Sequence, residues 1–348
     1  MKIVLISPVP PPAGGIATWT RMYLDSAFAK RHDVRLVNTA VTGKRVQDMT
    51  QRSVPAELKR AYRIIKDLKA QLKQDDVNIV HMNCPCSKTG LLRDYICARI
   101  VKKHSSKLVV HFRCDTSFMV GTGWALTIFK RLCRTADQIL VLNGISHDFI
   151  KKHTGLSSIY VPNFVNEKVL LQKEKFIKKE MHTILYAGHV TKAKGCDLIL
   201  RAAQQMPQYT FILAGYISEE IKEMAIPVNV KLTGEMSRDA ILELMQVCDV
   251  FLFPSHGEGF PNAVSEAMGM GMPIAATPVG ALPDMLESKG GILFPIDDLS
   301  SCMHALKVLT DTELRKNMSR WNQRKVQEYY QKDQVLQIIE NIYQTIYE

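Results

Sequence analysis

The chain runs through one pattern twice. Apolar runs of five to eight residues alternate with longer stretches of helical spacing. In the first pass the runs are "KIVLIS" (2–7), "DVRLVN" (33–38), "NIVHMN" (78–83), "KLVVHFR" (107–113), "QILVLN" (138–143) and "SSIYVPN" (157–163). In the second they are "TILYAGHV" (183–190), "YTFILAG" (209–215), "NVKLTG" (229–234), "VFLFPS" (250–255), "PIAAT" (273–277) and "GILFP" (291–295). Runs this apolar read as strands covered on both faces. Strands joined through helices pair in parallel. The expectation is an α/β chain of two Rossmann-like, doubly wound parallel-sheet domains. The charged stretch "VNEKVLLQKEKFIKKEMH" (165–182) places the join near 163–180. From Ser319 onward the spacing predicts a helix pair with no strand behind it.

The 348 residues fit about two domains of roughly 150 each. Apolar residues make up 46%, enough for two buried cores and too many for a disordered chain. No apolar run approaches the roughly 20 residues of a membrane span. The start, "MKIVLISPVPPPAGG", does not read as a signal peptide, because three prolines stop its short apolar run. The eight cysteines occupy ordinary positions, and Cys84-Pro-Cys86 is no metal or redox spacing. They read as reduced thiols of a cytoplasmic protein. No Asp-x-Asp pair occurs, so the commonest short metal-diphosphate signature is missing. The net charge of +11 is unevenly divided: +15 over residues 1–165 and −4 over 166–348. Such asymmetry suggests that the first half faces an anionic partner. Nucleic acid is not expected, since no stacking-aromatic or helix-turn-helix signature accompanies the charge.

Open parallel sheets bind ligands at the carboxyl ends of their strands. After the first strand, Gly14 and Gly15 precede a helix and offer backbone N–H groups to an anion. After the strand at 250–255 comes "SHGEGFPNAVSEAMGMGMP" (255–273). Gly257 and Gly259 free the loop backbone, and Pro261 and Asn262 start a helix. Gly269 or Gly271 ends it. Glu258 then sits on the loop and Glu266 about one turn into the helix, both able to face one crevice. Carboxylates suit the hydroxyls of a sugar, and the amides of 259–263 suit phosphate. A sugar joined to a nucleoside diphosphate satisfies both.

The stretch "PSHGEGFPNAVSEAMGMGMPIAATPVGALPDM" resembles the donor-site motif of the retaining glycosyltransferases of family four. "PVPPPAGG", "VVHFRCD", "VPNFVN" and "YAGHVTKAKGCDLIL" extend the resemblance over most of the chain. It implies a GT-B fold, two such domains facing across a cleft, with a final helix crossing back. Residues 1–165 plus about 330–348 would bind the acceptor, and 166–329 the donor. It implies that Glu258 contacts the transferred sugar, with Gly259, Phe260, Pro261, Asn262 and Ala263 lining sugar and diphosphate. Glu266 would hold the ribose and Lys194 the diphosphate. Gly14 and Gly15 would cover that diphosphate. Gly234, Glu235 and Met236 would hold the base. His111, near Asp115, would stand where donor sugar meets acceptor. Catalytic roles would fall to His111, Lys194 and Glu258. His189 stands where arginine is common in that family, Phe164 where glycine is usual, and Asp284 where glutamate is usual.

The implied reaction moves a sugar from a nucleotide-diphosphate sugar, UDP in preference to GDP, to a glycan or lipid-linked glycan, in cell-surface polysaccharide synthesis. It would retain configuration and use no metal and no cofactor. The other outcome in view is a catalytically weak nucleotide-sugar-binding subunit, which a histidine at 189 in place of the common arginine would favour. Residues 56–74 form a basic amphipathic pattern, with Leu58, Tyr62, Ile65, Leu68 and Leu72 on one face. Such a helix can lie on an anionic membrane or pack on its own sheet. The expectation is a cytoplasmic protein, peripheral on the inner face of the membrane.

Overall fold

A computed structural model of the chain describes residues 1–11, 14–41, 54–74, 76–170 and 174–348. Pro12 and Ala13 of the first loop and residues 171–173 of the charged connector lie outside the described residues. The chain divides into two compact units. Met1–Asn163 joins with Asp333–Glu348 in one, and Phe164–Lys332 forms the other.

The first unit holds β1 (Lys2–Ser7), β2 (Asp33–Asn38), β3 (Ile79–Cys84), β4 (Lys107–Phe112), β5 (Gln138–Val141) and β6 (Ile159–Tyr160). All pair in parallel, in the order β2-β1-β3-β4-β5-β6. The winding reverses at β1, so the carboxyl ends of β1 and β3 flank a switch point. Val4, Ile6, Val80, Met82, Leu108 and Val110 put one sheet face into a core with Phe129 and Leu132 of the helix Trp124–Thr135. The helical stretch that follows Gly14 is two helices, Gly15–Leu24 and Ala27–Arg31. Ser26 breaks it by capping the second, its Oγ accepting from Ala29 N at 3.1 Å.

The basic helix spans Val54–Gln74, and its buried side corrects the expected face. Ile64, Leu68 and Leu72 pack on the unit's own core, with Ile65 half-buried beside them. Leu58 and Tyr62 remain 66% and 69% exposed. Arg60 and Arg63 explain the split. They tie this helix to the end of β2 by donating to Thr39 O and Ala40 O, both at 2.8 Å, which seats the later turns on the sheet.

The last helix, Lys332–Tyr347, completes the first unit. Its Tyr343 is fully buried and lies 2.5 Å from His81 Nδ1 through its hydroxyl. Its Glu340 meets Arg31 at 2.9 Å and His32 at 2.8 Å.

The second unit holds β7 (Thr183–Ala187), β8 (Thr210–Ala214), β9 (Val230–Gly234), β10 (Val250–Phe253), β11 (Ile274–Ala276) and β12 (Gly291–Leu293). These also pair in parallel, in the order β12-β11-β10-β7-β8-β9. Winding proceeds β7, β8, β9 to one side and then restarts with β10 on the other. The switch point therefore lies between β7 and β10. All twelve expected strands form, and so does the expected helix pair, Thr312–Tyr329 and Lys332–Tyr347. All eight cysteines are buried and unpaired with one another. Among the described residues no helix is long and apolar enough to cross a membrane.

Tyr343→Phe removes the hydroxyl that meets His81 and leaves a fully buried ring nitrogen without a partner. The first unit should lose about 1–3 kcal/mol, the cost of one orphaned buried polar group. Urea unfolding followed at Trp19, which is buried in that unit, checks it.

Candidate functional site

In the second unit the loops after β7 and β10 meet at the switch point. After β7 the chain turns through a single 3-10 turn, Lys192–Lys194, and Gly195 closes it at φ 69°. A Cβ on Gly195 would stand 2.0 Å from the Pro254 carbonyl oxygen, so only glycine lets this turn lie against the end of β10. His256 N donates to Ala193 O at 3.2 Å, a second tie between the two loops. Lys194 Nζ thereby comes within 2.6 Å of Glu258 Oε1. Ser255 Oγ donates to the same oxygen at 2.9 Å.

Gly280, at φ 55°, supports this loop from the far side. A Cβ there would come within 2.2 Å of Glu258 O, and Ala281 N donates to Gly259 O at 3.0 Å. Phe260 is buried edge-on against Tyr330, with ring centres 5.3 Å apart. Pro261 caps the helix Asn262–Gly269, and its carbonyl accepts from Val264 N and Ser265 N. A first helical turn offers N–H groups that the helix itself does not use. Here that turn starts at Asn262 and Ala263.

Glu266 lies one turn along. It pairs with Arg238, the first residue of the helix Arg238–Val247 that follows β9. Gly234 ends β9 at φ 73°, and Glu235 and Met236 lead on toward the helix. Burial pushes the Glu266 carboxyl above its ordinary value, and the Arg238 guanidinium pulls against that shift. His189 is exposed after β7, with its ring edge-on to Tyr216. Lys192 is also exposed. Lys194, Glu258 and residues 259–263 are thus gathered at the switch point, while Glu266 and 234–236 are joined through Arg238.

The first unit carries the remaining expected residues. Gly14 and Gly15 are exposed at the start of the helix Gly15–Leu24. Nothing lies within 4 Å of where a Cβ on Gly14 would sit, so the position is open. His111, on β4, is fully buried among the rings of His81 and Trp19 and the guanidinium of Arg113. Burial, then the charge of Arg113, holds it well below the ordinary histidine range, so it is neutral at physiological pH. Asp115 caps the helix Thr116–Val120. Among the described residues no group of three or more His, Cys, Asp and Glu is placed to hold a metal ion.

Three residues with a part in this geometry were not singled out from the sequence. Arg238 is a lone basic residue after a turn, and its pairing across 28 positions leaves no local trace. Gly280, in "PVGALP", carried a turn signal that had no partner to interpret it. Arg113 stood inside a quoted motif but looked like one basic residue among many.

Removing Arg238 should destabilise the second unit in a pH-dependent way. Folded Glu266 holds its proton more tightly than unfolded Glu266. Its contribution to stability is therefore present at low pH and lost as pH rises from about 4.5 through the folded value. Arg238→Met lifts the folded value further and widens that window upward. The loss near pH 8 should be about 1–2 kcal/mol. That is below the 3–5 typical of a broken buried pair, because Arg238 is 35% exposed and screened. Near pH 4 the loss should be smaller. Urea unfolding of both proteins at the two pH values checks the sign.

Residues 168–325 match the family described as glycosyl transferases group 1. A sulfoquinovosyl transferase of Arabidopsis thaliana is 25% identical over 300 residues, covering 79% of this chain and 58% of that protein. The chain thus spans little more than half of that relative's length. Sucrose-phosphate synthase from Thermosynechococcus elongatus has a similar structure, with a TM-score of 0.81, 16% identity and 99% of each chain covered. HepE from Anabaena, solved in complex with UDP, gives 0.75 and 17%, covering 99% of this chain and 100% of that one. Residues 168–325, nearly the whole second unit, are thus similar to the group 1 glycosyl transferases, and the chain has the GT-B fold.

Proposed function

We propose that the chain is a glycosyltransferase that moves a sugar from a nucleotide-diphosphate sugar to a glycan or lipid-linked glycan, with retention of configuration. The observation that carries this is the pairing of two carboxylates with two cations around one helix start: Glu258 with Lys194, and Glu266 with Arg238. Each pair sets an acceptor for hydroxyls beside a donor for phosphate. Glu266 and the 234–236 loop take the nucleoside. Lys194 and the amides at 259–263 take the diphosphate. Glu258 takes hydroxyls of the sugar.

In the reaction the bond from the sugar's anomeric carbon to the diphosphate oxygen breaks, and a bond to the acceptor oxygen forms. The acceptor proton passes to the departing diphosphate. Negative charge grows on that diphosphate as the bond breaks, and fixed donors stabilise it without reorganising. Lys194 is the central donor. Its charge is held by Glu258, which keeps both side chains in place. Glu258 positions and stabilises the reacting sugar. The charge of Lys194 and the helix amides does the work that a metal would otherwise do, so the reaction needs none. UDP is the favoured nucleotide, in keeping with a structure of the same fold solved with UDP.

With EDTA present, UDP should raise the thermal midpoint of the protein. Glu266→Ala should abolish the shift. Lys194→Ala should weaken UDP at least tenfold, because a charge-assisted bond contributes about 1.5–3 kcal/mol. Absence of binding by every nucleoside diphosphate at millimolar concentration would sink the proposal.

The acceptor side is proposed to work at an anionic membrane surface. Val54, Leu58 and Tyr62 stand four apart on one exposed helix face, while Lys59, Lys66, Lys69 and Lys73 are exposed around the same helix. Apolar side chains ringed by lysines fit an interfacial helix. At low salt the protein should float with vesicles containing phosphatidylglycerol and stay behind with phosphatidylcholine alone. Leu58→Glu with Tyr62→Glu should cut flotation several-fold without changing UDP affinity.

A further inference from the structure

The first unit buries a cation that no carboxylate among its described residues pairs with. Arg113 directly follows β4 and is 6% exposed. Its Nη2 donates to Asn163 Oδ1 at 2.5 Å, and its Nη1 lies 3.2 and 3.3 Å from the two ring nitrogens of His111. The guanidinium covers Trp19 at 4.3 Å from the ring centre. Its Nε has no acceptor. No carboxylate among the described residues pairs with it. The nearest along the chain, Asp115, is occupied by Ser117 and Phe118.

The same unit shows what a structural arginine looks like. Arg93 is as deeply buried, and its guanidinium meets Asp94 at 2.6 Å. Burying a charge without a counter-charge costs several kcal/mol, and a purely structural role would be served by a neutral side chain. The neighbours are arranged for a positive centre. His81 and His111 carry no charge, held down by burial and by Arg113 itself. Burial lowers the guanidinium to about 9, which still leaves it charged near neutral pH.

Position adds to chemistry. Exposure is 0% at His111 and Phe112, 6% at Arg113, 8% at Cys114 and Asp115, and 0% again at Thr116. The guanidinium therefore lies just beneath the surface at the carboxyl end of β4, next to the switch-point strand β3, where open sheets take ligands. Thr116 Oγ1, three residues on, is a second buried polar atom without a partner.

We propose that Arg113 anchors an oxyanion of the acceptor, a phosphate or carboxylate, so that the acceptor is an anionic glycan or glycolipid. The planar fork of arginine suits either group. This rests on the glycosyltransferase reading for the word acceptor. The anion site itself stands on Arg113.

The test uses the full chain with Trp124→Phe and Trp321→Phe, leaving Trp19 as reporter, and with Lys194→Ala to disable the anchor for the donor diphosphate. Inorganic phosphate and acetate are titrated against chloride at constant ionic strength. A saturable change in Trp19 fluorescence is expected, weakened at least tenfold by Arg113→Met and partly kept by Arg113→Lys. A tenfold preference for phosphate assigns a phosphorylated acceptor, and the reverse assigns a carboxylated one. UDP calorimetry on Arg113→Met with Lys194 intact should match the parent, which shows that the variant is folded. If Arg113→Met does not fold, Arg113→Gln is held to the same tenfold criterion. A response that survives loss of Arg113, or no saturable response while UDP still binds the Lys194 form, overturns the proposal. If Glu266→Ala leaves UDP binding untouched, the donor site fails on its own account, and the phosphate titration still judges Arg113.

Discussion

The carbonyl of Pro254 leaves no room for a side chain at residue 195, and the second unit's site is built on that contact. Were the turn after β7 to stand off by the width of a methyl group, Lys194 would no longer reach Glu258. The parallel sheet supplies the frame. β7 and β10 are neighbours in space although their first residues, Thr183 and Val250, are 67 positions apart, and they diverge into different loops at the carboxyl edge of the sheet. Gly280 then presses on the Glu258 carbonyl from β11's side, so one loop is held between two glycines that admit nothing larger. The carboxylates are fixed by backbone contact first and by ion pairs second.

Much of the fold was legible because parallel strands buried on both faces write themselves as continuous apolar runs. "VFLFPS" and "KIVLIS" need no partner to be recognised. Glycine and proline marked the loop around Glu258 for the same local reason. What stayed hidden was set by distant partners. Arg238 and Glu266 lie on different helices, and no spacing joins them. The helix Val54–Gln74 shows the limit of periodicity. Leu58 and Leu68 share an apolar character, but the ties from Arg60 and Arg63 to the end of β2 decide which turns meet the sheet. Arg113 was concealed by its type, since burial and lack of a counter-charge are properties of surroundings rather than of sequence.

The two units handle charge in opposite ways. In the second, Glu258 is paired with Lys194 and Glu266 with Arg238, so a ligand would exchange one set of partners for another. In the first, rings of His81, His111, Trp19 and Tyr343 line the interior, both histidines are neutral, and the Arg113 guanidinium has no paired carboxylate among the described residues. Neutral imidazoles beside a cation avoid repulsion and leave its field undivided.

The seat of Tyr343 against His81 spans 262 positions of sequence. During synthesis the strands of the first unit emerge early, but the helix that fills their last groove emerges after the whole of the second unit. At about 5–20 residues per second, the intervening stretch takes on the order of ten to thirty seconds. Through that interval the first unit has every strand and no final helix, with the side chains that Tyr343 will cover still open to water. The second unit, contiguous in the chain, has no such wait. The domain that begins first is the one that finishes last.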